Sequence, residues 1–256
     1  MVAVVALPAT AQSPAPVKTR AADQPQPISE IGWLRRVGAQ QGILTNQPCR
    51  ICFIGDSLTE FWEHTGKADW DLHFAPFKAA NLGLTADRTE HILERIRRLD
   101  FRRAKPELVV LLMGTNNLGM EPPDAPEEVL RAIQRAVAML QSKMPEAKVL
   151  LLTLPPSGDE PKSALRQRIQ QTNALITKAS WPDKVRIVPV YEAMVDADDR
   201  WKTGYTLDGT HFSASGYASL AALLSPVVKE MLTPAADSSP GPSSAAQNAK
   251  GRKPGR

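Results

Sequence analysis

Long apolar runs are missing from this sequence. None approaches the roughly 18 residues that a bilayer-spanning helix needs, so no integral membrane segment is expected. Cysteine is scarce as well. Two cysteines beside 43% apolar content exclude a disulfide-stapled miniature fold and a collagen-like chain. Neither Gly-x-Gly-x-x-Gly nor Gly-x-x-x-x-Gly-Lys-Ser/Thr occurs, which leaves dinucleotide and P-loop phosphate binding without support. His64, His73 and His91 have no metal-ligand spacing, and no internal repeat is present.

The body of the chain also lacks net charge. A formal charge of +4 and a pI near 9.1 suggest an anionic partner at first sight. Yet residues 29–232 carry 25 basic and 25 acidic side chains, and the excess sits in the ends: +1 in 1–28 and +3 in 233–256. Nucleic acid is therefore not an expected partner. The same ends hold nine of the 22 prolines and little apolar periodicity. Such segments bury too little apolar area to offset ordering entropy, so both are expected to be disordered around one domain at 29–232. Val2-Ala3-Val4-Val5-Ala6-Leu7 followed by Ala9-Thr10-Ala11 reads as the back half of a secretory signal peptide. A periplasmic or secreted protein is the expectation, with a basic C-terminal tail able to sit near an anionic envelope.

What is present is a strand–helix alternation. Ile51–Ile54, Leu108–Met113, Val149–Leu152 and Val185–Val190 are short, nearly continuous apolar runs, with Ala79–Leu82 a weaker fifth. Runs of that kind suit parallel strands buried on both faces. Between them lie helical stripes: Ile92, Ile96, Leu99; Val129, Ile133, Val137, Leu140; Leu165, Ile169, Thr172, Ile176; and a closing Tyr217, Leu220, Leu224, Val227, Met231. The pattern predicts an α/β fold, a doubly wound parallel sheet with helices on both faces. Cys49-Arg50-Ile51-Cys52 runs into the first strand, where residues i and i+3 point to opposite faces, so the thiols are expected apart and without a redox or metal role.

Ligands of such sheets bind outside the carboxyl ends of the strands. Gly55-Asp56-Ser57-Leu58, Gly83, Gly114-Thr115-Asn116-Asn117 and the late Asp208-Gly209-Thr210-His211 all fall there. Ser57 at a strand-to-helix turn can be a nucleophile if His211 takes its proton and Asp208 orients the imidazole. The Ser57 N–H, the Gly83 N–H and the Asn116 amide are candidate oxyanion donors. Leu84, Trp201 and Tyr205 are candidates to line a substrate pocket. Each piece has a plainer rival. Ser57-Leu58-Thr59-Glu60 is also a capping box, and Asp208-Gly209 is an ordinary turn dipeptide. Arg95, Arg97, Arg98, Arg102, Arg103 and Lys105 are expected on a solvated face, pairing with Glu94, Asp100 and Glu107.

The four blocks, in this order, resemble those of the SGNH (GDSL) hydrolases, over about Arg50 to Leu224. Within that family the chain is most similar to the catalytic subunits of platelet-activating-factor acetylhydrolase Ib and their bacterial relatives. The shared features are Gly114-Thr115-Asn116-Asn117, the stretch Asn81 to Thr89, and Leu165-Arg166-Gln167 ahead of Asn173. The resemblance implies a flavodoxin-like five-stranded sheet and hydrolysis of short acyl esters, on a small molecule or a glycan, with no cofactor. It also leaves room for a homodimer and for a non-catalytic scaffold role. Thr85 and Ala86 stand where the subgroup carries glycines, and Thr210 replaces the usual leucine of the D-x-x-H block.

Overall fold

The computed structural model describes residues 21–233. The signal-peptide reading and the basic tail from 234 lie outside the described residues. The elements, in chain order, are α1 (Ile31–Asn46), β1 (Ile51–Gly55), α2 (Ser57–Glu60), α3 (Lys67–His73), β2 (Ala79–Gly83), α4 (Thr89–Arg98), β3 (Leu108–Leu112), α5 (Thr115–Gly119), α6 (Pro126–Lys143), β4 (Lys148–Leu152), α7 (Ala164–Lys178), β5 (Val185–Val188), α8 (Tyr191–Met194) and α9 (Ala214–Leu232).

All five strands pair in parallel in the order β2-β1-β3-β4-β5. The order reverses between β1 and β3, so the C-terminal ends of β1, β2 and β3 meet at the switch point where such sheets bind ligands. The α/β doubly wound expectation holds. β2 and β5 are the edge strands, and Arg186 of β5 faces out to Glu230 at 2.8 Å.

Two layers cover the sheet. α4, α6 and α7 pack side by side, while α9 packs on α3, α8 and β3. Phe53 of β1 lies 4.9 Å from both Trp70 and Phe74, and Trp62 lies 4.5 Å from Tyr217 of α9. Offset aromatic contacts of this kind add to the area they bury, and they fix α9 against β1.

Three expectations need correction. Residues 21–28 are packed rather than disordered: Ala22 is buried, its carbonyl accepts the Thr89 hydroxyl at 2.7 Å, and Gln26 N–H donates to the Glu90 carbonyl at 3.0 Å. Backbone groups anchor this stretch, so apolar periodicity could not reveal it. The two thiols also meet, at 3.4 Å, because β1 starts at Ile51 and Cys49 precedes its pleat. Arg95, finally, leaves the solvated cluster. Arg97 and Arg98 pair with Glu94, and Arg102 with Asp100, as expected, but Glu107 pairs with Arg50 from the start of β1.

Arg95 is instead fully buried. Its Nε donates to Asp87 Oδ2 at 2.6 Å, Nη2 to the Gly55 carbonyl at 2.6 Å, and Nη1 to the Leu82 carbonyl at 2.5 Å and Gln40 Oε1 at 3.3 Å. One guanidinium thus ties together the ends of β1 and β2, the loop after β2, and α1. Removing one partner of a buried ion pair strands the other charge, so Arg95→Ala is expected to cost about 3–5 kcal/mol in urea unfolding. A loss under about 1 kcal/mol, the size of a surface pair, would show that this hub carries no such weight.

Candidate active site

The turn after β1 decides what Ser57 can do. Asp56 is the N-cap of α2, its Oδ1 accepting the Leu58 N–H at 3.0 Å. Ser57 therefore does not cap the helix. Glu60, the other half of the rival capping box, accepts the Thr85 N–H at 2.5 Å and the Thr85 hydroxyl at 2.6 Å, and pairs with Arg36. The Ser57 hydroxyl is left facing His211, with Oγ 2.9 Å from Nε2.

His211 sits in a loop built to hold it. Asp208 Oδ2 lies 2.7 Å from His211 Nδ1, while Asp208 Oδ1 accepts the His211 N–H at 2.8 Å and the Thr210 N–H at 3.0 Å. With a proton on Nδ1 against the carboxylate, the Nε2 lone pair faces Ser57. Burial pushes the Asp208 carboxyl up, but the amides and imidazole outweigh it and hold it below the usual carboxylate range. Gly209 allows the turn at φ 81°, and its carbonyl accepts the Gly158 N–H at 2.7 Å and the Trp201 indole N–H at 2.9 Å. Tyr217 Oη donates to the Leu58 carbonyl at 2.8 Å, which joins α9, just past this loop, to α2.

The amides around Ser57 can be accounted for one by one. Gly83 N–H donates to Asn81 Oδ1 at 2.9 Å, so the Gly83 amide is not the free donor that was expected. Glycine is needed there for another reason: a Cβ would collide with the backbone nitrogen of Glu60 in α2. Along the rest of the loop, Leu84 N–H goes to the Gly55 carbonyl, Thr85 N–H to Glu60, Asp87 N–H to the Leu84 carbonyl and Arg88 N–H to His91 Nδ1. Ala86 N–H has no partner among the described hydrogen bonds, and neither has Ser57 N–H. Asn116 Nδ2 donates to the Asp87 carbonyl at 2.9 Å, which ties its amide to the residue after Ala86 with one N–H left over.

Comparison with known proteins places the chain in a family. A family described as GDSL-like lipase/acylhydrolase matches residues 53–219. The chain belongs to that family. The chicken platelet-activating factor acetylhydrolase IB subunit alpha2 is 30% identical over 184 residues, 71% of this chain and 77% of the relative. A GDSL-like lipase from Bacteroides thetaiotaomicron superposes with a TM-score of 0.66 at 24% identity, over 77% of this chain and 98% of its own. An acetyl-xylooligosaccharide esterase from a Geobacillus gives 0.55 at 15% identity, over 72% and 94%.

This GDSL-like hydrolase meets its departures from the subgroup pattern with local partners. Thr85 is locked by Glu60, and Thr210 Oγ1 lies 2.7 Å from Ser157 Oγ. Ala86 takes a left-handed backbone at φ 64°, which costs an alanine about 1 kcal/mol or more. Strain of that kind persists where the surroundings impose it, often at functional sites. Of the pocket candidates, Leu84 is buried, and Trp201 braces the Gly209 carbonyl while packing on Phe212 at 5.9 Å. Tyr205 accepts the Ser213 N–H at its carbonyl, steadying the entry to α9. Among the described residues no cluster suits a metal ion and no helix is long and apolar enough to cross a membrane.

Asp56 has a second property. Burial raises its carboxyl to about 7, helped by Asp87 and opposed by the Leu58 N–H, His211 and Arg95, while Oδ2 has no partner among the described residues. The folded protein therefore keeps this proton up to about pH 7, whereas the unfolded chain releases it near pH 4. Between those values the native state binds the extra proton, so stability falls as pH rises. Asp56→Asn keeps the cap to Leu58 and is expected to flatten that fall in urea unfolding at stepped pH. Equal slopes in both proteins would exclude Asp56 as the titrating group.

Proposed function

We propose that this hydrolase is a serine esterase acting on short-acyl esters, acetyl above all. The observation that carries the reading is the relay from Asp208 through His211 to Ser57, with contacts of 2.7 and 2.9 Å. Ser57 Oγ attacks the ester carbonyl carbon as His211 Nε2 takes its proton, and Asp208 steadies the imidazolium. Negative charge collects on the carbonyl oxygen, where the Ser57 N–H, the Ala86 N–H and the free N–H of Asn116 receive it. Collapse expels the alcohol, which takes the proton from His211. Water then attacks the acyl-enzyme by the same route, releasing the acid and restoring Ser57. The acetyl preference is supported by the acetylhydrolase relatives, and the alcohol half of the ester is open to test.

Wild type is expected to hydrolyse p-nitrophenyl acetate, to slow as the acyl chain lengthens, and to be labelled by a fluorophosphonate. Ser57→Ala should lose both turnover and labelling. Near-wild-type turnover in that variant would remove Ser57 as nucleophile. Asn116→Ala is expected to lower kcat by about 100- to 1,000-fold, as loss of an oxyanion donor does. Acetylated oligosaccharides beside the simple esters decide the alcohol: faster turnover on the glycan would assign it as the substrate class.

A further inference from the structure

We infer that Phe61 is a positioning residue for His211, holding the imidazole plane that faces Ser57; this rests on the triad reading above. The Phe61 ring stacks on the His211 ring with centroids 5.0 Å apart and planes 27° from parallel. Phe61 lies four residues after Ser57, so both side chains leave the same face of one helical turn, and the Phe61 N–H bonds back to the Ser57 carbonyl. The nucleophile and the platform for the base therefore move as one unit. His211 is bonded at both ring nitrogens, which together with its Cβ–Cγ bond set the imidazole plane, and the Phe61 ring against its face resists tilting out of that plane. An aromatic face also attracts the imidazolium that forms when His211 takes the Ser57 proton.

The charged and titratable groups around the pair are Asp208 on the same loop, Asp159 against Gly209 from the loop after β4, and Asp56 and His64 from the α2 side. All are unchanged in Phe61 variants, so their contributions cancel in a comparison. Phe61→Leu keeps the bulk and loses the π face. Loss of ring restraint should lower kcat for p-nitrophenyl acetate about tenfold with KM little changed. Phe61→Tyr should restore kcat. An unchanged kcat in folded Phe61→Leu would overturn the inference, as would a rise in KM at constant kcat, which would make Phe61 a substrate contact. Failure of the triad reading is distinguishable, because it shows in Ser57→Ala and does not involve Phe61.

A separate observation supports a second site. Cys49 and Cys52 are both buried, with sulfurs 3.4 Å apart, at the edge of the sheet opposite Ser57. We propose that this pair closes to a disulfide by exchange with an incoming disulfide oxidant. The thiols lose two protons and two electrons, one sulfur–sulfur bond forms, and the oxidant leaves as two thiols. The mutual hydrogen bond lowers the Cys49 thiol and raises Cys52, which burial raises further. After refolding with oxidised glutathione and acid quenching, intact-mass analysis is expected to show loss of two hydrogens, with no free thiol on alkylation in denaturant. The oxidised form should melt higher than the reduced one, and Cys49→Ser should abolish the difference. Two free thiols after that treatment, or only mixed disulfides with glutathione, would overturn the proposal.

Discussion

The buried Arg95–Asp87 pair is the constraint on which the site depends. A charged guanidinium in the interior is tolerable only when its donors are met, and here Asp87, two strand-end carbonyls and Gln40 meet them. Those partners are the ends of β1 and β2, the loop holding Ala86, and α1. Asp87 in turn accepts the Trp33 indole N–H at 2.9 Å, and its own carbonyl holds Asn116. The electrostatics of one buried pair thereby set the distance between the Ser57 turn and two of the three candidate oxyanion donors. A fold that only packed apolar strands would leave those loops free to drift.

The other half of the site arrives from far along the chain. Ser57 and His211 are 154 residues apart and meet because α9 is fastened to β1 and α2 by aromatic contacts. Phe53, Trp62, Tyr217, Phe212 and Trp201 form a continuous series, ending on the carbonyl of Gly209. Tyr217 adds a hydrogen bond to α2 at its far end. Rigid elements on both sides make a sub-ångström arrangement affordable for a loop whose carboxylate is half exposed.

Much of this was legible in the residues alone, and the gaps have physical causes. All five strands lie where the apolar runs lie; for β1 to β4 this is because a strand buried on both faces writes its burial directly into composition, while the edge strand β5 keeps only a partial run. Ser57 and Asn116 follow strand ends that topology puts on one edge, and Asp208 and His211 are brought to Ser57 by the loop before α9. α1 was invisible: Gly32, Gly38 and Gly42 weaken its helical signal, and its buried stripe of Trp33, Val37, Gln40 and Leu44 contains a polar residue that works by hydrogen bonding. Arg95 was hidden in a basic cluster, although it stands on the Ile92–Ile96–Leu99 stripe and not opposite it. Spacing carried the signal there, and charge obscured it.

The loop after β2 shows where motif reading stops. A glycine in a motif block invites a catalytic role, yet Gly83 is required by the approach of α2, and its amide is already taken by Asn81. Which amide remains free depends on side chains from two other elements, Asn81 in β2 and Glu60 in α2, that no local pattern reports. Only a full count of donors and acceptors finds Ala86, and the same count explains why an alanine endures a left-handed backbone there. Glu60 fixes Thr85 before it and Arg95 fixes Asp87 after it, so the strain at Ala86 is imposed from both sides by groups buried for other reasons. The chemistry of the site is in this sense a by-product of satisfying the interior.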